Sequence, residues 1–314
     1  MVREFVEGRG CHMQTVFEQL TILYIFLLAG WLIGKWKKDK ASHADILSVL
    51  LVNILLPCKI FSTFARSVTP AYLSEHWRLL VAAMILLAVM ACLSLFLPRL
   101  LTKNSYERRV YAYSIPITNY GYLGYALIGS VFGESVLARF MLFVIPFSFY
   151  TYTVGYILLV GGTLGKGTLK KLVNPIILSV IFGVAFGLSG LELPTVASSA
   201  ISMASSCVGP LSMLLTGITL STFVMKELLS DKTAYIFSFL RLVGFPALAY
   251  GVCRLANLDA ILPMVLIATC MPCGLNPIVF PRLIGEDCKP GARLALLTHA
   301  LSMVTLPFWL SLIL

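Results

Sequence analysis

Two stretches of this 314-residue chain bring polar side chains and helix breakers together inside otherwise apolar runs. One is PITNYGYLG (116–124), with Asn119 and Gly121; the other is MPCGLNP (271–277), with Pro272 and Asn276. Proline removes a backbone donor and glycine tolerates turns, so each stretch predicts an interrupted helix. An asparagine at such a break either offers its amide to a substrate or ion, or caps the broken end. Asn53, one turn before Pro57, has a similar choice between ligand and partner for a carbonyl that the proline frees. We assign Asn53, Asn119, Gly121, Pro272 and Asn276 to a substrate-binding set. Arg241 joins them because no acid lies within any span interior to pair it, and a substrate carboxylate would supply the missing charge. The rival partners for its guanidinium are backbone carbonyls. Lys59 lies seven residues before Arg66, about 10 Å along a helix, so its stem can snorkel outward. His299 is the candidate for proton coupling, since imidazole titrates near neutrality in water; packing as a neutral ring is the competing reading.

Other chemistry is missing its residues. There is no HExxH, no zinc-ligand spacing and no pair of acids inside an apolar run, so we expect no enzyme, metal or cofactor. Cys270 and Cys273 form a CxxC, but within an apolar segment they read as small hydrophobes rather than a redox pair.

The elements that must hold these residues follow from composition. The chain is 59% hydrophobic and 12% charged, with mean hydropathy +0.91. A soluble domain carries about 25% charged residues, so this chain belongs in a bilayer. The apolar segments predict ten spans, at 16–34, 45–65, 77–98, 110–131, 138–161, 172–190, 196–222, 234–254, 260–281 and 294–314. Lys and Arg cluster in alternate loops, as in Lys35, Lys37 and Lys38, then Lys103, Arg108 and Arg109, then Lys166, Lys170 and Lys171. Those loops are expected to be cytoplasmic, with both termini outside the cell membrane. The rule accounts for the net charge of +10 without nucleic acid.

Residues 1–15 read as an N-terminal extension, with Met13 as an alternative start. Residues 16–161 and 172–314 form two five-span halves, and GGTLGKGTLK (162–171) is a cytoplasmic linker. An odd number of spans per half inverts the second half relative to the first, as in many secondary transporters. Internal matches agree. Pro57 and Pro210 sit in mid-span at corresponding places, and Gly133-Glu134 matches Gly285-Glu286 after each broken segment. Broken helices survive in a bilayer only where they line a buried cavity.

The sequence resembles the auxin efflux carrier family, which joins bacterial permeases to plant PIN-type carriers. The residues that carry the likeness are 271–314, NYGYLG (119–124), NILLP (53–57) and GPLSMLLTG (209–217). The resemblance implies an all-α membrane protein of ten helices, an inverted five-plus-five repeat, and fourth and ninth helices that unwind and cross. It also implies secondary transport of small organic anions or related amphipaths, and often a homodimer; the sequence leaves open whether H+, Na+ or no ion is coupled. This chain departs from the family at Ala126, where a proline is usual, and by having no acid within 77–98. The other classes considered are a channel, which needs a continuous polar lining or a charged ring, and a membrane sensor that does not transport.

Overall fold

The computed structural model describes residues 9–36, 40–159, 175–283 and 285–313, and among them every regular element is helical. The polar linker at 162–171 lies outside the described residues. Helix α1 (Arg9–Trp36) begins within the stretch read as an extension. Helix α2 (40–67) contains a π-helical turn at Leu51–Leu55 just before Pro57, which widens the coil where the ring would otherwise crowd the preceding turn. Helix α3 (Pro70–Leu101) is followed by α4 (Ser105–Ser114), capped by the Asn104 side chain on the amides of Tyr106 and Glu107. After a break come a π turn at Tyr120–Gly124, α5 (Tyr125–Phe143) and α6 (Ile145–Leu159).

From residue 175 the chain forms α7 (Pro175–Ser189), α8 (Thr195–Ser221) and the short α9 (Met225–Leu229). Helix α10 (Lys232–Leu255) is capped by Asp231 on the amides of Thr233 and Ala234. Helix α11 (Leu262–Cys270) precedes the second break, and α12 (Asn276–Leu283) and α13 (Lys289–Ser311) complete the chain. Among the described residues, six helices are long and apolar enough to cross a bilayer on their own, or seven if the pair Ser135–Phe143 and Ile145–Leu159, bent by 46°, is one span. The two interrupted segments fall short individually, because each is divided into two shorter pieces.

Two long helix pairs dominate the packing. Helix α1 packs along α8, and α7 packs along α2. Both contacts depend on glycine. A Cβ at Gly217 would lie 2.0 Å from the Leu27 carbonyl oxygen, and one at Gly30 would lie 2.2 Å from that of Leu214. On the other pair, a Cβ at Gly187 would meet the carbonyl oxygens of Phe64 and Val68 at 2.9 Å. Small residues let backbones approach this closely in membranes. Gly133 and Gly285, matched in sequence, both adopt the left-handed region, at φ 80° and 73°.

Candidate functional site

The two breaks touch. Asn119 N–H donates to the Pro272 carbonyl at 2.8 Å, and Thr118 pairs with Cys273 as an isolated antiparallel bridge. Proline and glycine end the regular hydrogen bonding at both places, and each strand fragment then satisfies part of the other's backbone. The Thr298 hydroxyl on α13 accepts the amide of Cys273 at 3.2 Å and donates to Leu294.

The asparagines play different parts. Asn119 is 1% exposed. Its side-chain oxygen accepts from Leu123 N–H at 3.3 Å, capping the π turn, and its amide nitrogen lies 2.8 Å from Nε2 of His299. Nδ1 of His299 lies 2.8 Å from the Ala295 carbonyl, which can only accept. Nδ1 therefore carries a proton, and Nε2 accepts from Asn119, so both groups are satisfied with a neutral ring. Asn276, at the start of α12, donates to the Tyr113 hydroxyl at 2.7 Å and lines a small pocket on the crossing.

That pocket, of about 40 Å³, is also lined by Gly121, Tyr120, Thr63 and Lys59. Lys59 is half-buried, and its ammonium stands 5.1 Å from the centroid of Tyr125. It does not turn away to the surface. The Tyr120 hydroxyl bonds Ser148 at 3.1 Å and sits 3.3 Å from Thr151, and both of those residues line the same pocket. A Cβ built on Gly121 meets nothing within 4 Å, so this glycine leaves open space at the pocket wall.

Arg241 is 1% exposed and does not line the pocket. It points to the crossing from another side. Nη1 donates to the Ile115 carbonyl at 2.8 Å, and Nε and Nη2 approach the carbonyls of Met271 and Ala268 at 3.4 and 3.5 Å. Those carbonyls end α4 and α11. The guanidinium is thus committed to the negative ends of two half-helices, the rival arrangement considered from sequence, and not to the cavity. Pro272 gives its carbonyl to Asn119, a bracing contact. Asn53 stands apart: it is exposed, and its amide donates to Val49 one turn earlier. Sequence reasoning undervalued Lys59, whose distance from Arg66 suggested snorkelling, and gave no sign of Tyr113 or Thr298, whose roles arise only from the crossing. Cys270 and Cys273 are buried free thiols.

The crossing divides the charges of four helix ends. Arg241 covers the two carboxyl ends, while Tyr120, Gly121 and Asn276, at the amino ends that follow the breaks, face the pocket with Lys59. Partial positive charge and one ammonium therefore converge on one cavity, which suits an anion.

Comparison with known proteins identifies the family of the chain. A family described as membrane transport protein matches residues 15–310. A protein named as an uncharacterized transporter of Methanocaldococcus jannaschii is 26% identical over 299 residues, covering 92% of this chain and 96% of its own. Another, from Methanothermobacter thermautotrophicus, is 23% identical over 296 residues, covering 93% and 96%. The family match spans nearly the whole chain, and both breaks fall inside it; the chain belongs to the membrane transport proteins of the auxin efflux carrier family.

Proposed function

We propose that this protein is a secondary transporter that moves a small organic anion, such as a carboxylate, across the cell membrane by alternating access. The observation that carries the proposal is the pocket at the crossed breaks. It holds Lys59 and two helix amino ends, while Arg241 has already neutralised the opposing carboxyl ends. Helix ends presented at an interrupted span are the usual means of holding a charged substrate inside a bilayer. The reciprocal packing of α1 on α8 and α7 on α2, with the matched glycines 133 and 285, supports ten spans in two inverted halves with both termini outside.

In this reading Lys59, Asn276 and Gly121 meet the substrate. Asn119, Pro272 and Arg241 hold the crossing, and His299 fixes Asn119 as a neutral ring rather than carrying the coupling proton. Asn53 serves the surface of α2. A channel is disfavoured because the pocket at the crossing, of about 40 Å³, is too small for a water-filled path and no charged ring surrounds it among the described residues.

The test is a thermal-shift screen of purified protein with benzoate and short aliphatic carboxylates, with and without sodium and across pH. Stabilisation by at least one carboxylate is expected, with loss of that shift in Lys59→Gln. Equal stabilisation by neutral amides of the same shape would overturn the anion reading.

A further inference from the structure

The pocket at the crossing and the cleft above it differ tenfold in size. The inner pocket measures about 40 Å³, room for little more than a water molecule or two. The cleft that meets it measures about 410 Å³, ample for a small carboxylate. The two share Lys59, Thr63 and Tyr125, so they form one path with a narrow inner end. An organic anion fits the outer chamber in this conformation and does not fit the inner one.

The outer chamber carries a second cation, Arg66, which is exposed and also borders a neighbouring cleft of about 310 Å³. Arg66 and Lys59 are seven residues apart on α2, two turns, so they stand on one face about 10 Å from each other. Neither has a carboxylate partner among the described residues, and no acid lines the outer chamber among them. The remaining polar lining is neutral hydroxyl, including Ser62 and Ser205. Two cations facing one cleft whose other polar groups are neutral focus a positive potential into it.

We propose that this outer chamber is an encounter site for the anion, held between Arg66 and Lys59 before the inner pocket opens. The proposal rests on the anion reading above and adds a separate site to it. Arg66 receives the carboxylate at the mouth. Lys59, resting on Tyr125, draws it toward the crossing, and displacement of that ammonium from the ring frees the narrow inner end.

The site can be tested without knowing the substrate. Ser205→Cys is introduced into protein whose Cys11, Cys58, Cys92 and Cys207 are replaced by serine, reconstituted in vesicles of zwitterionic lipid. The new thiol is then titrated with methanethiosulfonates carrying either a sulfonate or a trimethylammonium group. The rate ratio, anionic over cationic and relative to a free thiol, reads the local potential. We expect a ratio well above one at low ionic strength that collapses at high ionic strength. Arg66→Gln is expected to lower it roughly threefold to tenfold, and Arg66→Lys to retain most of it. A wild-type ratio no greater than that of the free thiol, or an unchanged ratio in Arg66→Gln, overturns the encounter site. The second of these results is also what occupation of Arg66 by lipid phosphate would give. Because the ratio needs no substrate, failure here leaves the carboxylate thermal shift standing, and failure of that shift leaves the ratio standing.

Discussion

Arg241→Met should destabilise the protein even though it removes a buried charge from a bilayer-embedded site. Methionine keeps much of the length and none of the donors. The bond to Ile115 at 2.8 Å is charge-assisted, with a contribution of about 1.5–3 kcal/mol. The contacts at 3.4 and 3.5 Å, to Met271 and Ala268, lie at the edge of hydrogen bonding and contribute less. The replacement relieves the desolvation of a guanidinium that is 1% exposed, and this opposes the loss. The carbonyls decide the balance. They end two half-helices, have no following turn to accept from, and have no water to turn to. The net cost is expected to be about 3–5 kcal/mol, a fall of order 10 °C in melting midpoint on the scale of soluble domains. Trp309 bonds the Leu242 carbonyl next to Arg241 at 2.7 Å, so intrinsic tryptophan fluorescence of detergent-purified protein reports on this region. Arg241→Lys should recover part of the loss through a single donor. A methionine variant that melts with or above the wild type would refute the claim that the guanidinium braces the crossing.

Other expectations are open to the same kinds of measurement. Asn276→Ala should remove the carboxylate-induced thermal shift while leaving the unliganded midpoint within a few degrees, because the neutral hydrogen bond to Tyr113 contributes about 1 kcal/mol. Gly121→Ala should fold normally, since its new methyl meets nothing within 4 Å, but should favour shorter carboxylates in a binding series. Gly217→Ala should cost upwards of about 3 kcal/mol, because the methyl would need the α1 backbone to retreat; limited expression or a lower midpoint checks it. His299→Gln should leave the pH dependence of carboxylate binding unchanged between mildly acidic and neutral conditions; a lost dependence would make His299 the titrating group after all.

The breaks were legible because proline, glycine and asparagine act locally: Asn119, Pro272 and Asn276 mark where hydrogen bonding must stop. That the breaks meet was given only by the family resemblance, since no local rule pairs Thr118 with Cys273. Arg241 shows how sequence reasoning goes astray at a buried cation. The search for a partner considered acids first, yet the partners are carbonyls that exist only because other helices end beside it. Lys59 and Asn53 turn opposite ways, one to the pocket and the other to the exposed face. Distance along α2 places both, but not which way each side chain turns, and that depends on Tyr125 and on the lipid-facing surface. The His299–Asn119 contact joins residues 180 positions apart and left no pattern to read.

The glycine contacts of α1 with α8 and of α7 with α2 bear on mechanics. Where one backbone rests on another, with less than a methyl group between them, sliding by a single residue would drive a side chain into a carbonyl. Such seams behave as welds. On the proposed alternating-access reading, the four helices they join would stand as a chassis, and travel would be borne by surfaces packed through longer side chains, such as the Arg282–Asp45 bridge between α12 and α2. The crossing, cross-braced by Arg241 and His299, would on that reading be a stiff carriage. What it carries would rise and fall with it as one body against a frame that keeps still.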